Sequence, residues 1–372
     1  MKRLSFLIYF SIFTLASAFF LLGSDAAEAY KGTSAEQPAM TPTPTPTPVR
    51  PAATPPKISE EEGVLTVDTE LVNLNVRVVD RNSRPINGLT QTDFKIFEDS
   101  VPQQIEFFSK SEVPTNYALV IDNSGSLRSQ LEKVIEAGKI IVSTNKPEDE
   151  TSIIRFVSRD KISIEQPFTS NKVDLDDALD NLFIEGGQTA IIDAVYLAAE
   201  KVSEYEKTRG GGADDRKRRA LVIVSDGEDR DSYYNEAQLF ELLRELDVQI
   251  YTIGFVGDLS KEVRFISKSP QGKAKAFLQR LATETGGKAY FPADVTELGV
   301  LAKDIGSELR MQYSIGYIPT NERNDGTYRN IKVAIDDGPN KQKRIAITKA
   351  GRVAEGAGSA AKTISPVKPS NK

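Results

Sequence analysis

The sequence predicts an α/β fold, a doubly wound and mostly parallel sheet flanked by N- and C-terminal β-segments that together form one small β-sandwich. Three observations predict it. Between residues 115 and 312, short apolar runs alternate with stretches whose apolar residues recur at helical spacing, the rhythm of strand–helix–strand units. On either side, in residues 64–114 and 313–352, apolar and polar residues alternate with period two and no helical period emerges. Asp, Ser, Thr and Gly residues collect just past the apolar runs, where the carboxyl ends of a parallel sheet gather their loops.

The first flank carries Leu71, Leu74, Val76 and Val78 among polar neighbours, then a turn at Asp80-Arg81-Asn82-Ser83. Phe94, Ile96 and Phe97, and then Ile105, Phe107 and Phe108, mark further strands. Residues 117–121 form an apolar run ending at Asp122. Leu127, Leu131, Val134, Ile135 and Ile141 then trace one face of a helix over residues 127–143, with Ser126 as its N-cap. Strands follow at 153–157 and 162–164, and helices at 171–183 and 190–205. A buried strand at 221–224 ends in Ser225-Asp226-Gly227. A helix at 237–246, a strand at 248–253 and a helix at 277–284 stopped by Gly286-Gly287 come next. A strand at Tyr290 and a helix at 298–309 complete the alternation. Strands return at 313–318, 328–335 and 344–347. Neither flank alone offers enough strands for a stable sheet, so the two are expected to pack together, with the α/β unit inserted between them.

Residues 1–29 read as an export signal. Lys2 and Arg3 precede an apolar run from Leu4 to Leu22, and Ala27-Glu28-Ala29 is a small-x-small cleavage pattern. The run approaches the roughly 20 residues that span a bilayer. A retained membrane anchor is therefore the alternative to a cleaved signal, and both place the remainder in the periplasm or outside the cell. Residues 30–63 form a Pro/Thr-rich linker containing the repeat from Thr41 to Pro48. Its prolines impose an extended, unpacked backbone. Residues 353–372 have almost nothing to bury and read as a disordered tail.

Composition narrows the chemistry. A net charge of −6 without a basic stripe argues against nucleic acid as a partner. The short run from Arg216 to Arg219 reads as a solvated loop. The chain has no Cys and no His, which removes thiolate chemistry, zinc–thiolate sites and the commonest general base. A metal site here must be built from oxygen, which favours magnesium, with manganese or calcium as alternatives.

Asp122-Asn123-Ser124-Gly125-Ser126 leaves the first α/β strand. Positions two apart in extended chain point the same way, so Asp122, Ser124 and Ser126 can converge where Gly125 permits a shallow loop. Thr189 lies in a Gly-bearing loop entering a helix, and Asp226 ends another buried strand. Taken singly, Ser126 and Thr189 are cap residues and Asp226-Gly227 is a turn signal. In this order, and at strand ends, they resemble the metal-ion-dependent adhesion site of the von Willebrand factor type A domain, whose pattern is Asp-x-Ser-x-Ser, then Thr, then Asp. The flanks resemble those of a bacterial exported group of such domains, through Val78-Val79-Asp80, Pro85-Ile86-Asn87-Gly88-Leu89, Asp93-Phe94 and Glu98-Asp99. The resemblance covers roughly residues 64–349 and is specific for the five metal positions. Leu127 stands where many relatives have Met.

The resemblance implies metal ligation by Asp122, Ser124, Ser126, Thr189 and Asp226, with hydroxyls touching the ion and carboxylates often acting through water. A hydroxyl-rich shell leaves a dication short of negative charge, so it takes an Asp or Glu carboxylate from a protein partner. Asp193 follows Thr189 by one helical turn and is expected to orient the loop, to orient a metal water or to serve as a cap. Glu228 and Asp229 are candidates for a supporting layer. The expected function is an exported, metal-dependent protein-binding module for adhesion or envelope assembly, without catalysis. A metal-dependent hydrolase is the first alternative, opposed by the absence of His, of an evident general base near the site and of a phosphate-binding Gly-rich loop. A scaffold with a purely structural metal site is the second.

Overall fold

The computed structural model describes residues 71–354 apart from 111, 209–216 and 259–268. The export signal, the linker and all of the expected tail past Ala354 lie outside the described residues. Four strands lead the described chain: β1 (Val72–Val79), β2 (Phe94–Glu98), β3 (Val101–Gln103) and β4 (Ile105–Ser109). The α/β unit runs β5 (Thr115–Asp122), α1 (Leu131–Ser143), β6 (Glu150–Phe156), β7 (Ile162–Thr169), α2 (Lys172–Asp180), α3 (Ile191–Thr208), β8 (Arg218–Ser225), α4 (Glu236–Glu245), β9 (Gln249–Gly254), α5 (Pro270–Thr285), β10 (Ala289–Tyr290) and α6 (Leu298–Glu308). Then come β11 (Tyr313–Tyr317), β12 (Tyr328–Ile335), β13 (Ile345–Ile347) and β14 (Gly351–Val353).

The central sheet has the order β10-β9-β8-β5-β6-β7, parallel throughout except for the edge strand β7, which runs antiparallel to β6. Every residue of β5 is buried, as the middle of a sheet covered on both faces requires. The two-residue period of the strand sorts its side chains. Tyr117, Leu119 and Ile121 join the core under α1, α2 and α6, whereas Ala118 and Val120 join the core under α3, α4 and α5. Pro167 sits in β7, where a missing N–H does least harm because the strand is an edge. Local signals set the helix ends. Asn171 and Asn235 accept backbone N–H groups as N-caps of α2 and α4, Ser269 does so for α5, and Gly286 closes α5 in the left-handed conformation at φ 79°.

Each of the two outer sheets mixes strands from both ends of the chain. One has the order β13-β1-β11-β4 and the other β14-β12-β2-β3. β1 pairs antiparallel with β11 from Val72–Tyr317 to Val76–Tyr313, and β2 pairs antiparallel with β12 from Phe94–Ile335 to Glu98–Ile331. One apolar core joins the sheets, with Leu74, Val76 and Ile315 from one side and Phe94, Ile96, Ile331 and Val333 from the other. Phe94 crosses between layers, its ring centroid 5.6 Å from Phe108 and 5.1 Å from Tyr313. This is the expected sandwich around an inserted α/β unit, held by strand pairing as well as by face-to-face packing.

Two local expectations need correction. The helix after β5 begins at Leu131, not at 127; residues Gly125–Leu127 make a 3-10 turn instead, so Ser126 caps nothing. The apolar period was right for 131–143, but Leu127 is buried from the turn rather than from a helix. Arg218 and Arg219 are not a solvated loop. They open β8, and Arg218 is 4% exposed because its fork donates to the carbonyls of Leu309, Arg310 and Gln312 and to Asn75 and Ser314. Burial without a carboxylate partner pulls its pKa down to about 10. Strand β14 also escapes the sequence pattern, since only three residues carry it.

Candidate metal centre

The motif loops meet at the carboxyl edge of the central sheet. Asp122 ends β5 and is fully buried. One of its oxygens accepts the backbone N–H of Ser124 at 2.9 Å, and the other accepts the Ser225 hydroxyl at 2.8 Å. Burial pushes the Asp122 carboxyl up to about 6; the bonds from Ser124 and Ser225 oppose that rise and the nearby charge of Asp226 adds to it. Ser124 Oγ and Ser126 Oγ lie 2.9 Å apart, Ser124 buried and Ser126 exposed. Asp226 is 4% exposed and accepts the N–H of Glu228 at 3.0 Å. Gly227 holds the turn at φ 79°, and a Cβ there would meet Leu278 at 2.8 Å, so no other residue suits that position.

Thr189 is reached through backbone ties. The N–H of Ala190 bonds to Val157 O, and Thr189 O accepts the N–H groups of Arg230 and Asp231 at 2.8 and 3.2 Å. Gly187 passes so close to Val157 that a Cβ would approach its methyl at 2.6 Å. Asn123, fully buried, fastens the same loop to the Asp122 turn, donating from Nδ2 to Phe183 O and accepting Glu185 N–H at its own carbonyl. The structure thus gathers Asp122, Ser124, Ser126 and Asp226 through contacts and a shared field. It ties Thr189 to the Asp226 loop by the main chain. Among the described residues, no hydrogen bond links the Thr189 hydroxyl to the other four.

Asp193 holds the third side of this arrangement. Its carboxylate accepts the N–H groups of Tyr233 and Tyr234 at 2.7 and 2.9 Å, and its own N–H donates to Ser232. Asp229 accepts the N–H of Ile192 at the start of α3. Asp193 therefore orients the loop, one of the roles its spacing from Thr189 suggested. Replacing Asp193 by Ala leaves both tyrosine amides without an acceptor. Hydrogen exchange at Tyr233 and Tyr234 is expected to accelerate by about tenfold or more while β8 stays protected. Unchanged exchange would show that the loop is held by other means.

Two participants were missed by sequence reading. Ser225 was visible as a small polar residue directly before Asp226, yet nothing in one sequence says that its hydroxyl turns back to Asp122. Asn123 occupies the unspecified second position of Asp-x-Ser, where the pattern is silent.

The donor set suits a hard dication. Among the described residues no group of three or more carboxylates, His or Cys gathers at one point. The five motif positions instead offer two carboxylates and three hydroxyls, all oxygen. Each Asp122 oxygen is engaged by one hydrogen bond, and a carboxylate has about four acceptor sites in all. Asp122 and Asp226 are both buried and their charges repel, and neither has an ion pair among the described residues, which is a reason for a positive charge between them.

Comparison with known proteins gives the following. The model of the von Willebrand factor type A domain matches residues 116–303. The uncharacterized protein sll0103 of Synechocystis sp. is 29% identical over 163 residues, a match covering 43% of this chain and 37% of that relative's length. Among solved structures, an aerotolerance-related membrane protein of Bacteroides fragilis aligns at 20% identity over 52% of this chain and 98% of its own, with TM-score 0.38. A von Willebrand factor type A protein of Catenulispora acidiphila aligns at 11% identity over 76% of this chain and 75% of its own, with TM-score 0.42.

Proposed function

Because the chain belongs to the von Willebrand factor type A domain family, we propose that it is a metal-dependent protein-binding module, in which Asp122, Ser124, Ser126, Thr189 and Asp226 hold a divalent cation that engages a carboxylate of a protein partner. Magnesium is the first choice, with manganese or calcium next, since every donor is a hard oxygen. When bound, the ion supplies a position that accepts an anionic oxygen from outside the protein. The protein's own part is to hold its hydroxyls and carboxylates in place, through Ser225 and the Ser124 N–H at Asp122 and through Asp193 at the Thr189 side. The observation that carries this reading is the convergence of fully buried Asp122 with Asp226 and the adjoining Ser124–Ser126 hydroxyl pair.

We place the module outside the cytoplasm, on the strength of the N-terminal signal pattern; among the described residues no helix is long and apolar enough to cross a membrane. No catalytic role is assigned, because the chain lacks His and the acidic residues around the site are engaged by backbone amides, hydroxyls or cations. The test is retention of envelope proteins on the immobilised protein in magnesium. Retention is expected to vanish in EDTA and to fall about tenfold in Thr189→Ala, while magnesium affinity in that variant changes less than retention does. Retention indifferent to EDTA would defeat the proposal.

A further inference from the structure

The run Pro85-Ile86-Asn87-Gly88-Leu89 has no part in the metal site, and it contains the one Asn-Gly pair of the chain. Asn-Gly is the most reactive of the Asn dipeptides, because glycine has no Cβ to keep its nitrogen away from the preceding side-chain carbonyl. Pairs of kindred chemistry are Asp226-Gly227, Asp325-Gly326, Asp337-Gly338, Asn82-Ser83 and Asn123-Ser124. In all of these the N–H of the second residue is engaged. Gly227 donates to Ser225 Oγ at 3.0 Å, Gly326 to Ala354 O at 3.1 Å and Gly338 to Gln342 O at 2.8 Å. Ser83 donates to Asp80 O at 3.0 Å and Ser124 to Asp122 at 2.9 Å.

Gly88 differs. Among the described residues its N–H finds no hydrogen-bond acceptor and the Asn87 carbonyl finds no donor, so no hydrogen bond holds this peptide unit against rotation. Both residues are exposed, and a Cβ placed on Gly88 would meet no atom within 4 Å. The Asn87 side-chain amide donates only to Met311 Sδ, at 3.6 Å, and a thioether is a weak acceptor. Nucleophile, target carbon and leaving group are thus all open to water and able to come into line.

The atoms on either side of this peptide are held. Tyr313 donates its hydroxyl to Ile86 O at 3.1 Å, and the same hydroxyl accepts the Leu89 N–H at 3.1 Å. Leu89 and Tyr313 are buried, and the Tyr313 ring packs on Phe94 and Phe108 in the core of the sandwich. One hydroxyl therefore fixes the chain both before and after the untied peptide.

We propose that Asn87-Gly88 is a site of self-modification, where the chain deamidates to aspartate and isoaspartate, and that the isoaspartyl form releases Leu89 from Tyr313. The Gly88 nitrogen attacks Asn87 Cγ. The new N–Cγ bond closes a five-membered succinimide as the Cγ–Nδ2 bond breaks, and the amino group leaves with the Gly88 proton as ammonia. Water then opens the ring. Addition at Cγ gives aspartate with the original backbone. Addition at the main-chain carbonyl carbon gives isoaspartate, whose backbone runs through Cβ and Cγ. Nothing is oxidised or reduced, and the change is covalent and carries a new negative charge. Isoaspartate lengthens the main chain between two points pinned on one hydroxyl, and the Leu89 bond to Tyr313 gives way.

The experiment incubates the purified protein in mildly alkaline buffer and follows the tryptic peptide 82–95, which also contains Asn82, by mass spectrometry with electron-transfer fragmentation. Asn87 is expected to gain about 1 Da at least about threefold faster than Asn82, and within about tenfold of its rate in a free synthetic peptide of the same sequence. Isoaspartate should be the larger product. Hydrogen exchange at Leu89 should accelerate by about tenfold or more in the incubated protein. Asn87→Asp has the charge without the longer backbone and should exchange at Leu89 as the fresh wild type does. Asn87→Gln should remove both the mass gain and the change at Leu89. A rate at Asn87 less than about threefold above that at Asn82, or more than about tenfold below the free peptide's, would show the fold shielding the pair and overturn the site. Deamidated protein whose Leu89 exchange is unchanged, or is matched by that of Asn87→Asp, overturns the release from Tyr313 and leaves the site standing. The rates on the wild type decide the first half even if a variant proves unstable.

Discussion

Asp122→Ala is expected to abolish magnesium and manganese binding, with no heat of binding in calorimetric titration at concentrations that saturate the wild type. The motif supplies two carboxylates, and removing one takes away half the negative charge that neutralises a hard cation. The fold should survive, but not untouched. A strand-end Asp reads from sequence as lying outside the packed core, whereas Asp122 is fully buried. Its loss leaves the Ser124 N–H and the Ser225 hydroxyl without their acceptor, and each buried unpaired group costs about 1–3 kcal/mol. Relief of the repulsion from Asp226 offsets part of that cost. The net expectation is a modestly lower melting temperature, and Asp122→Asn, which keeps an acceptor oxygen, should melt closer to wild type while still failing to bind metal. Wild-type metal affinity in Asp122→Ala would remove the site as assigned.

Arg218→Ala is expected to cause the largest loss of stability of any single change discussed, more than about 3 kcal/mol in urea unfolding. The side chain is buried at the junction of β8 with the segment linking α6 to β11, where it donates to the carbonyls of Leu309, Arg310 and Gln312. Removing it takes the side-chain donor from the carbonyls of Leu309 and Gln312, leaves that of Arg310 with only the Gln312 N–H, and opens a cavity between the α/β unit and the sandwich. Lys at this position has no planar fork and should recover less than half of the loss. The midpoint should shift with little change in slope if unfolding remains cooperative, whereas a second transition would mean that the two parts of the molecule had come uncoupled. A loss under about 1 kcal/mol would contradict the role given to Arg218.

Legibility in the sequence followed the physics of each feature. The central sheet was readable because fully buried strands such as β8 are continuous apolar runs, and α3 and α4 carry an unbroken helical period. The sandwich was readable as a need, since two short flanks cannot each stand alone, but its pairing of β1 with β11 and of β2 with β12 was not, because register depends on residues far apart in sequence. Boundaries failed where tertiary contacts overrode local preference. Gln130 and Leu131 open α1 although Ser126 is the better cap, because the chain must first turn at 125–127 to bring Ser124 and Ser126 together. The basic run failed for a similar reason. Composition marks Arg as a surface residue, and only the fold shows that carbonyls past the end of α6 accept its fork. At the metal cluster, residue identity and order were legible, whereas the orienting bonds of Ser225 and Asp193 needed three dimensions.

The way β1 threads the molecule also bears on how the protein would carry a mechanical load. Toward its far end, Arg77 is clamped to Glu308 and to the carbonyl of Gly287 of the α/β unit, while its near end at Val72 pairs with Tyr317, the last residue of β11. β11, its antiparallel neighbour, leaves directly from that same unit at Gln312. Tension between a ligand gripped at residues 122–126 and the chain preceding Val72 would draw β1 lengthwise past β11. The ladder from Val72–Tyr317 to Val76–Tyr313 would then be strained in shear, all its hydrogen bonds sharing the force together rather than parting one after another as in a zipper.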